Sequence, residues 1–77
     1  MKIDLKKLNT KEKFLSFMKD SLEDMYTLNY DALIDAITSY HSLELEFINI
    51  ESYQDYQNLI EVIEIINNDY PTIQIKK

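Results

Sequence analysis

The chain has no glycine, no cysteine and no tryptophan, and it contains one proline and one histidine. Without glycine there is no residue that takes positive φ freely or lets backbone approach a phosphate closely. Phosphate-cradling loops and dinucleotide fingerprints are therefore excluded. Without cysteine there is no disulfide framework and no thiolate zinc site, which fits a reducing compartment. No apolar run approaches the ~20 residues of a membrane span, and Lys2 to Asp20 lacks the continuous apolar stretch of a secretory signal. A cytoplasmic protein is expected.

Arginine is also missing, so all eight cations are lysines. Six of them fall between Lys2 and Lys19, and two close the chain at Lys76 and Lys77. From Asp20 to Ile75 there are twelve acids and no Lys or Arg. A field of that sign repels the phosphates of nucleic acid, so direct nucleic-acid binding is not expected. It suits a basic partner. It also serves solubility, which is the commoner use of surface acids.

Catalytic chemistry has little to work with. A nucleophile–base pair reduces to Ser or Thr with His41. That histidine falls near the end of a helix pattern, where an imidazolium interacts favourably with the helix dipole. Paired carboxylates need a cleft that 77 residues scarcely form. Asp20-Ser21-Leu22-Glu23-Asp24 lacks the turn glycine and the spacing of a calcium loop. The expectation is a protein that is not an enzyme and needs no cofactor or metal.

The length gives one domain, residues 1–77, near the lower limit for a core without covalent staples. Ile3 and Leu5 alternate with Asp4, predicting a strand over Lys2–Leu5. Asn9 followed by Glu12 reads as a capping box opening a helix from about Thr10 to Leu22, with Phe14, Leu15, Phe17, Met18 and Leu22 at helical spacing. Asn29 is placed to cap a second helix running to about Tyr40. Leu43–Ile48 alternates with period two and predicts a strand. Ser52-Tyr53-Gln54-Asp55 is a second capping-box pattern. It opens a helix of about sixteen residues, to about Asn68, with Leu59, Val62, Ile63 and Ile66 as its stripe. Asn67-Asn68 is placed to stop that helix, and Pro71 prevents continuation. Thr72–Ile75 closes the chain as a strand. The order β-α-α-β-α-β predicts an α/β fold with right-handed crossovers and a three-stranded parallel sheet flanked by helices.

The second helix carries the most informative pattern. Ala32, Leu33, Ala36, Ile37 and Tyr40 share one face, and Asp31, Asp35 and Thr38 share the other. Two acids at i and i+4 weaken an isolated helix by roughly 0.2–0.5 kcal/mol. No lysine lies within four residues of either to relieve the repulsion. Such a face is either simply solvated or suited to a cationic partner.

Around this helix the sequence resembles the barstar family of intracellular ribonuclease inhibitors. The family pattern runs Tyr, Gly, any residue, Asn-Leu-Asp-Ala-Leu, an aromatic, Asp, a small residue, Leu-Thr-Gly. Here the stretch is Tyr26-Thr27-Leu28-Asn29-Tyr30-Asp31-Ala32-Leu33-Ile34-Asp35-Ala36-Ile37-Thr38-Ser39. The order of elements is also similar over nearly the whole chain. Thr27 and Ser39 stand where the family has glycine, and Ile34 where an aromatic contact is usual. The segment after the second strand is shorter by one short family helix. The family's acidic contact on the last helix aligns nearest Ile65, with Glu64 adjacent.

The resemblance implies an inhibitor or antidote that occludes the active site of a cognate basic ribonuclease. A carboxylate at Asp35 would replace a substrate phosphate. Asp31, Asn29, Ile34, Thr38, Tyr26, Tyr40 and Glu64 are the further partner-binding candidates it implies. An immunity protein or regulator for another basic toxin, and a non-inhibitory acidic subunit-contact module, are the alternatives. The free protein is expected to be a monomer.

Overall fold

A computed structural model describes all residues from Met1 to Lys77. The elements are β1 (Lys2–Asp4), α1 (Lys11–Leu22), α2 (Tyr30–Thr38), β2 (Leu43–Ile48), a 3₁₀ turn (Ile50–Ser52), α3 (Tyr56–Asp69) and β3 (Ile73–Lys76). The three strands form one parallel sheet in the order β1-β2-β3, as the alternation of strand and helix patterns predicts. Each strand lies beside its predecessor and points the same way. Burial on one side of the strands places the helices on the same face, as two crossovers of the usual right hand would do.

Burial along the strands agrees with that one-sided arrangement. Ile3, Leu45, Phe47 and Ile73 are buried beneath the helices, whereas Lys2, Glu44, Glu46, Gln74 and Lys76 are exposed. On the open face Glu46 sits opposite Lys2 on one side and Lys76 on the other. Alternating charge across strands is the favourable arrangement there. Both edge strands are short, at three and four residues, and lysines mark their ends. Both features discourage further strand pairing.

The helical stripes read from the sequence form the other half of the core. Phe14, Leu15, Met18 and Leu22 of α1, Leu33, Ala36 and Ile37 of α2, and Leu59, Val62, Ile63 and Ile66 of α3 are all buried. Phe14 lies at the centre. Its ring is 6.0 Å from Phe47 and meets Tyr53 edge-on at 5.4 Å, a favoured aromatic geometry.

The ends of α1 and α3 correct three expectations. Thr10, not Asn9, caps α1: its side chain accepts from the Lys13 amide at 3.2 Å. Both residue types cap well, so local chemistry does not separate them. The backbone does. The Asn9 carbonyl accepts from the Gln54 amide at 2.9 Å, tying the start of α1 to the approach to α3. Ser52 opens no helix. It ends the 3₁₀ turn, and α3 starts four residues later at Tyr56 without a side-chain cap. The Asp55 carboxylate accepts instead from Tyr30 and Asn58. Asn67-Asn68 do not stop α3, which runs on to Asp69, with Tyr70 as its C-cap.

With no glycine available, two other residues take the left-handed conformation: Glu23 (φ 54°) and Asn49 (φ 56°). Asn49 donates to Asp4 Oδ1 at 2.9 Å. That bond, with one from the Lys6 amide, holds the Asp4 carboxyl below its ordinary range. Glu23 closes α1, with its amide on the Asp20 carbonyl and the Asp24 amide on Lys19, the ending in which glycine usually stands. Glu23→Gly should therefore stabilise the protein by about 0.5–1 kcal/mol, the Cβ strain relieved less the added freedom of the unfolded chain. Urea unfolding reads the gain; a loss would mean that the Glu23 side chain contributes more than its backbone costs.

Candidate functional site

Two contacts fix how α1 and α2 run. Lys11, at the start of α1, places its Nζ 4.9 Å from the ring centroid of Tyr30, at the start of α2. Tyr40, just past the end of α2, donates its hydroxyl to the carbonyl of Leu22, the last residue of α1, at 3.2 Å. The helices thus point the same way, and the connection Glu23–Asn29 must return along α1, whose 12 residues span about 18 Å. This returning segment is a strap. Thr27 and Leu28 form one wall of a groove whose other wall is Lys11, Glu12, Leu15, Ser16 and Lys19 of α1.

The strap turns one residue in and three out. Thr27 is 1% exposed, whereas Met25 and Tyr26 are each 81% exposed and Leu28 is 68% exposed. Large apolar groups grouped this way on a surface mark a contact site more often than isolated ones do. Sequence reading named Tyr26 but passed over Met25 and Leu28. The usable signal was three large apolar residues in a seven-residue connection with no helical or strand period to bury them.

Asn29 ends the strap and caps α2, its Oδ1 accepting from the Ala32 amide at 2.8 Å. The faces of α2 separate as their spacing predicts. Asp31 and Asp35 are exposed on one side, and Leu33, Ala36 and Ile37 are buried on the other. No hydrogen bond in the fold uses either carboxylate. Asp31, in the first turn, is favoured by the helix dipole; Asp35, in the second half, has no such compensation.

The remaining site candidates lie along α2, just past its end and on α3. Thr38 is half-buried rather than exposed, because its hydroxyl donates to the Ile34 carbonyl at 2.7 Å. Ile34 is half-buried and packs against the core. Helix α2 stops at Thr38, short of Tyr40, which is exposed at the rim. Ser39 closes it at φ −74° and donates its hydroxyl to the Ala36 carbonyl. Neither Thr27 nor Ser39 takes positive φ, so the residues at the two motif-glycine positions carry no left-handed strain. Glu64 is exposed on α3, nine residues beyond Asp55, which places it about 13 Å further along that helix. It is set apart from the ends that join α2 to α3.

That junction is a hydrogen-bonded chain that sequence reading missed. Tyr30 donates its hydroxyl to Asp55 Oδ2 at 2.6 Å and lies 2.8 Å from the Tyr53 hydroxyl. Each phenol has one proton, so Tyr53 donates to Tyr30 and Tyr30 to Asp55. Asn58 donates to Oδ1 of the same carboxylate. Burial, and then the bond to Asp55, push the Tyr30 hydroxyl far above its ordinary range. Burial likewise pushes Tyr53 up. Both phenols therefore stay protonated and able to donate.

The Thr27 hydroxyl is buried without a partner, and an orphaned hydroxyl of this kind costs about 1–3 kcal/mol. Thr27→Val keeps the branched shape and removes that cost. It should raise stability by about 1 kcal/mol, measured as the shift in the urea midpoint, while the strap stays in place. A destabilised variant would mean that the hydroxyl is hydrogen-bonded through solvent.

No protein-family model matches the chain, and no curated protein or solved structure matches it either. No helix is long and apolar enough to cross a membrane.

Proposed function

We propose that this protein is a barstar-like inhibitor that binds a basic ribonuclease and covers its active site with the strap and the acidic face of α2. The observation that carries this reading is the continuity of two exposed surfaces. Three large apolar side chains, Met25, Tyr26 and Leu28, lead through the Asn29 cap directly into Asp31 and Asp35. A basic enzyme that binds RNA offers the complement: cations that ordinarily hold phosphates, in a concave site. Asp35 takes the place of a phosphate and meets those cations, and a desolvated carboxylate–cation contact can dominate an interface. Asp31 and Asn29 lie a turn or more earlier and serve the rim. Tyr40 closes the other end. Ile34 and Thr38 support the acidic face from partly buried positions. Glu64 extends the acidic surface without belonging to its centre.

The mechanism requires neither a cofactor nor bond chemistry in the inhibitor. The chain's formal charge of −6 steers a cationic enzyme toward it, and such steering raises association rates to ~10⁸–10⁹ M⁻¹s⁻¹ at low salt. The direct test is titration of the protein into RNA-cleavage assays with a panel of basic ribonucleases, barnase among them. One-to-one loss of activity with at least one of them supports the reading. Unaltered cleavage across the panel, with capture of a basic toxin of another kind, transfers the same surface to the immunity-protein alternative.

A further inference from the structure

We propose that Tyr30 is a positioning residue whose hydroxyl locks the first turn of α2, and with it the exposed strap, to the entrance of α3. It stands at the junction of the two exposed surfaces, directly after the Asn29 cap. Its hydroxyl receives the Tyr53 proton at 2.8 Å and gives its own to Asp55 at 2.6 Å. Both partners are themselves fixed. Tyr53 is 2% exposed and packed edge-on against Phe14, and Asp55 is held from its other oxygen by Asn58 at 2.9 Å. Lys11 lies over the Tyr30 ring from the α1 side. One side chain of α2 is thus gripped from α1 and from the Tyr53–Asp55 segment that leads into α3.

The strap has few other ties. Within it, Tyr26 donates its amide to Asp24 Oδ1, Thr27 donates to the Asp24 carbonyl and Leu28 to the Tyr26 carbonyl, all local bonds. Its upstream end is the left-handed closure at Glu23. Apart from buried Thr27 and that closure on α1, what holds it to the body is its downstream end at Asn29 and Tyr30. A segment with exposed side chains and only local hydrogen bonds opens readily unless its ends are pinned. This inference deepens the inhibitor reading, because a surface ordered before encounter loses less entropy on binding. Its test uses the free protein alone, so it fails or holds without reference to any ribonuclease.

The experiment is amide hydrogen exchange, followed residue by residue, on the wild type and on Tyr30→Phe, which keeps the ring and removes the hydroxyl. The amides of Tyr26, Thr27, Leu28, Ala32 and Leu33 should exchange roughly ten- to a hundredfold faster, the effect of losing one or two hydrogen bonds, one of them to a charged acceptor. The amides of β2 and of the middle of α3 should keep their protection. Tyr30→Phe leaves the buried Tyr53 hydroxyl without a partner and so lowers global stability as well. The double variant Tyr30→Phe/Tyr53→Phe removes that orphan and should restore the slow core amides while the strap stays fast. Asp55→Asn, which retains an acceptor oxygen, should exchange within a few-fold of the wild type, and Asp55→Leu, which removes the Tyr30–Asp55 bond but leaves Tyr53 on Tyr30, should speed the strap amides in the same direction as Tyr30→Phe. Equal acceleration of strap and core amides in the double variant would make Tyr30 a general stabiliser, and unchanged strap amides in Tyr30→Phe would remove its positioning role. Either result overturns the proposal.

Discussion

Asp35→Ala should leave the fold intact and weaken inhibition of the cognate ribonuclease by some thirty-fold to several thousand-fold. The two halves of that expectation follow from one side chain in two environments. In the free protein Asp35 is exposed, and no hydrogen bond uses its carboxylate. Removing it should change stability by no more than roughly 0.5 kcal/mol. In the proposed complex its carboxylate faces desolvated cations. Taking it away leaves those cations buried and unpaired, which costs about 2–5 kcal/mol or more, at ~1.4 kcal/mol per decade of affinity. Asp31→Ala should act in the same direction and less strongly, because it lies one turn nearer the rim. The association rate of the wild type should fall as salt rises, since steering is screened beyond ~8–10 Å. Inhibition assays at two ionic strengths, with the fold verified by circular dichroism, check both statements. Undiminished inhibition by the Asp31→Ala/Asp35→Ala double variant would remove the acidic helix from the mechanism.

The largest effect on the fold itself is expected at Phe14. Its ring is fully buried and is the one aromatic that touches both the sheet, through Phe47, and the start of the α3 segment, through Tyr53. Phe14→Ala removes both contacts and leaves a cavity, and such changes cost about 3–5 kcal/mol. A chain of this length has about 4–12 kcal/mol in total, so the variant should lose between a quarter and all of its stability. The loss should be cooperative, because the sheet and the helices share this residue. A urea midpoint lowered by less than the equivalent of about 1 kcal/mol would show that the core closes around the gap.

Most of this architecture is readable in the periodicity of the sequence. Leu43–Ile48 alternates cleanly because one face of the sheet is covered and the other is open, so in β2 a parallel strand shows the pattern more typical of an antiparallel one. The α2 faces were equally legible, since Asp31 and Asp35 against Leu33, Ala36 and Ile37 leave one solution on a helical wheel. The failures have a common physical source. Asn9 and Thr10 are both good caps, and the choice rests on a bond from Gln54, forty-five positions away in the chain. Ser52 has the right neighbours for a capping box, but Asp55 is drawn off by Tyr30 of another helix. The path of the strap was not legible for the same reason, although its three large apolar residues were. Nothing local in Met25-Tyr26-Thr27-Leu28 records that α1 and α2 run the same way, and only that geometry forces the segment back along α1 with Thr27 inward and its neighbours outward. Where a residue's partner is local, the sequence states its role. Where the partner is brought by the fold, it does not.

The measurement that tests the central claim most directly is a nuclear magnetic resonance titration of the isotope-labelled protein with a catalytically inactivated basic ribonuclease that it inhibits. The amide signals of Met25 to Thr38 should shift or broaden first and most, with Tyr40 at the margin. Those of the open sheet face around Glu44, Glu46 and Gln74 should remain in place. Perturbations concentrated on the sheet face or on the outer side of α3, with the strap and α2 unmoved, would contradict the account.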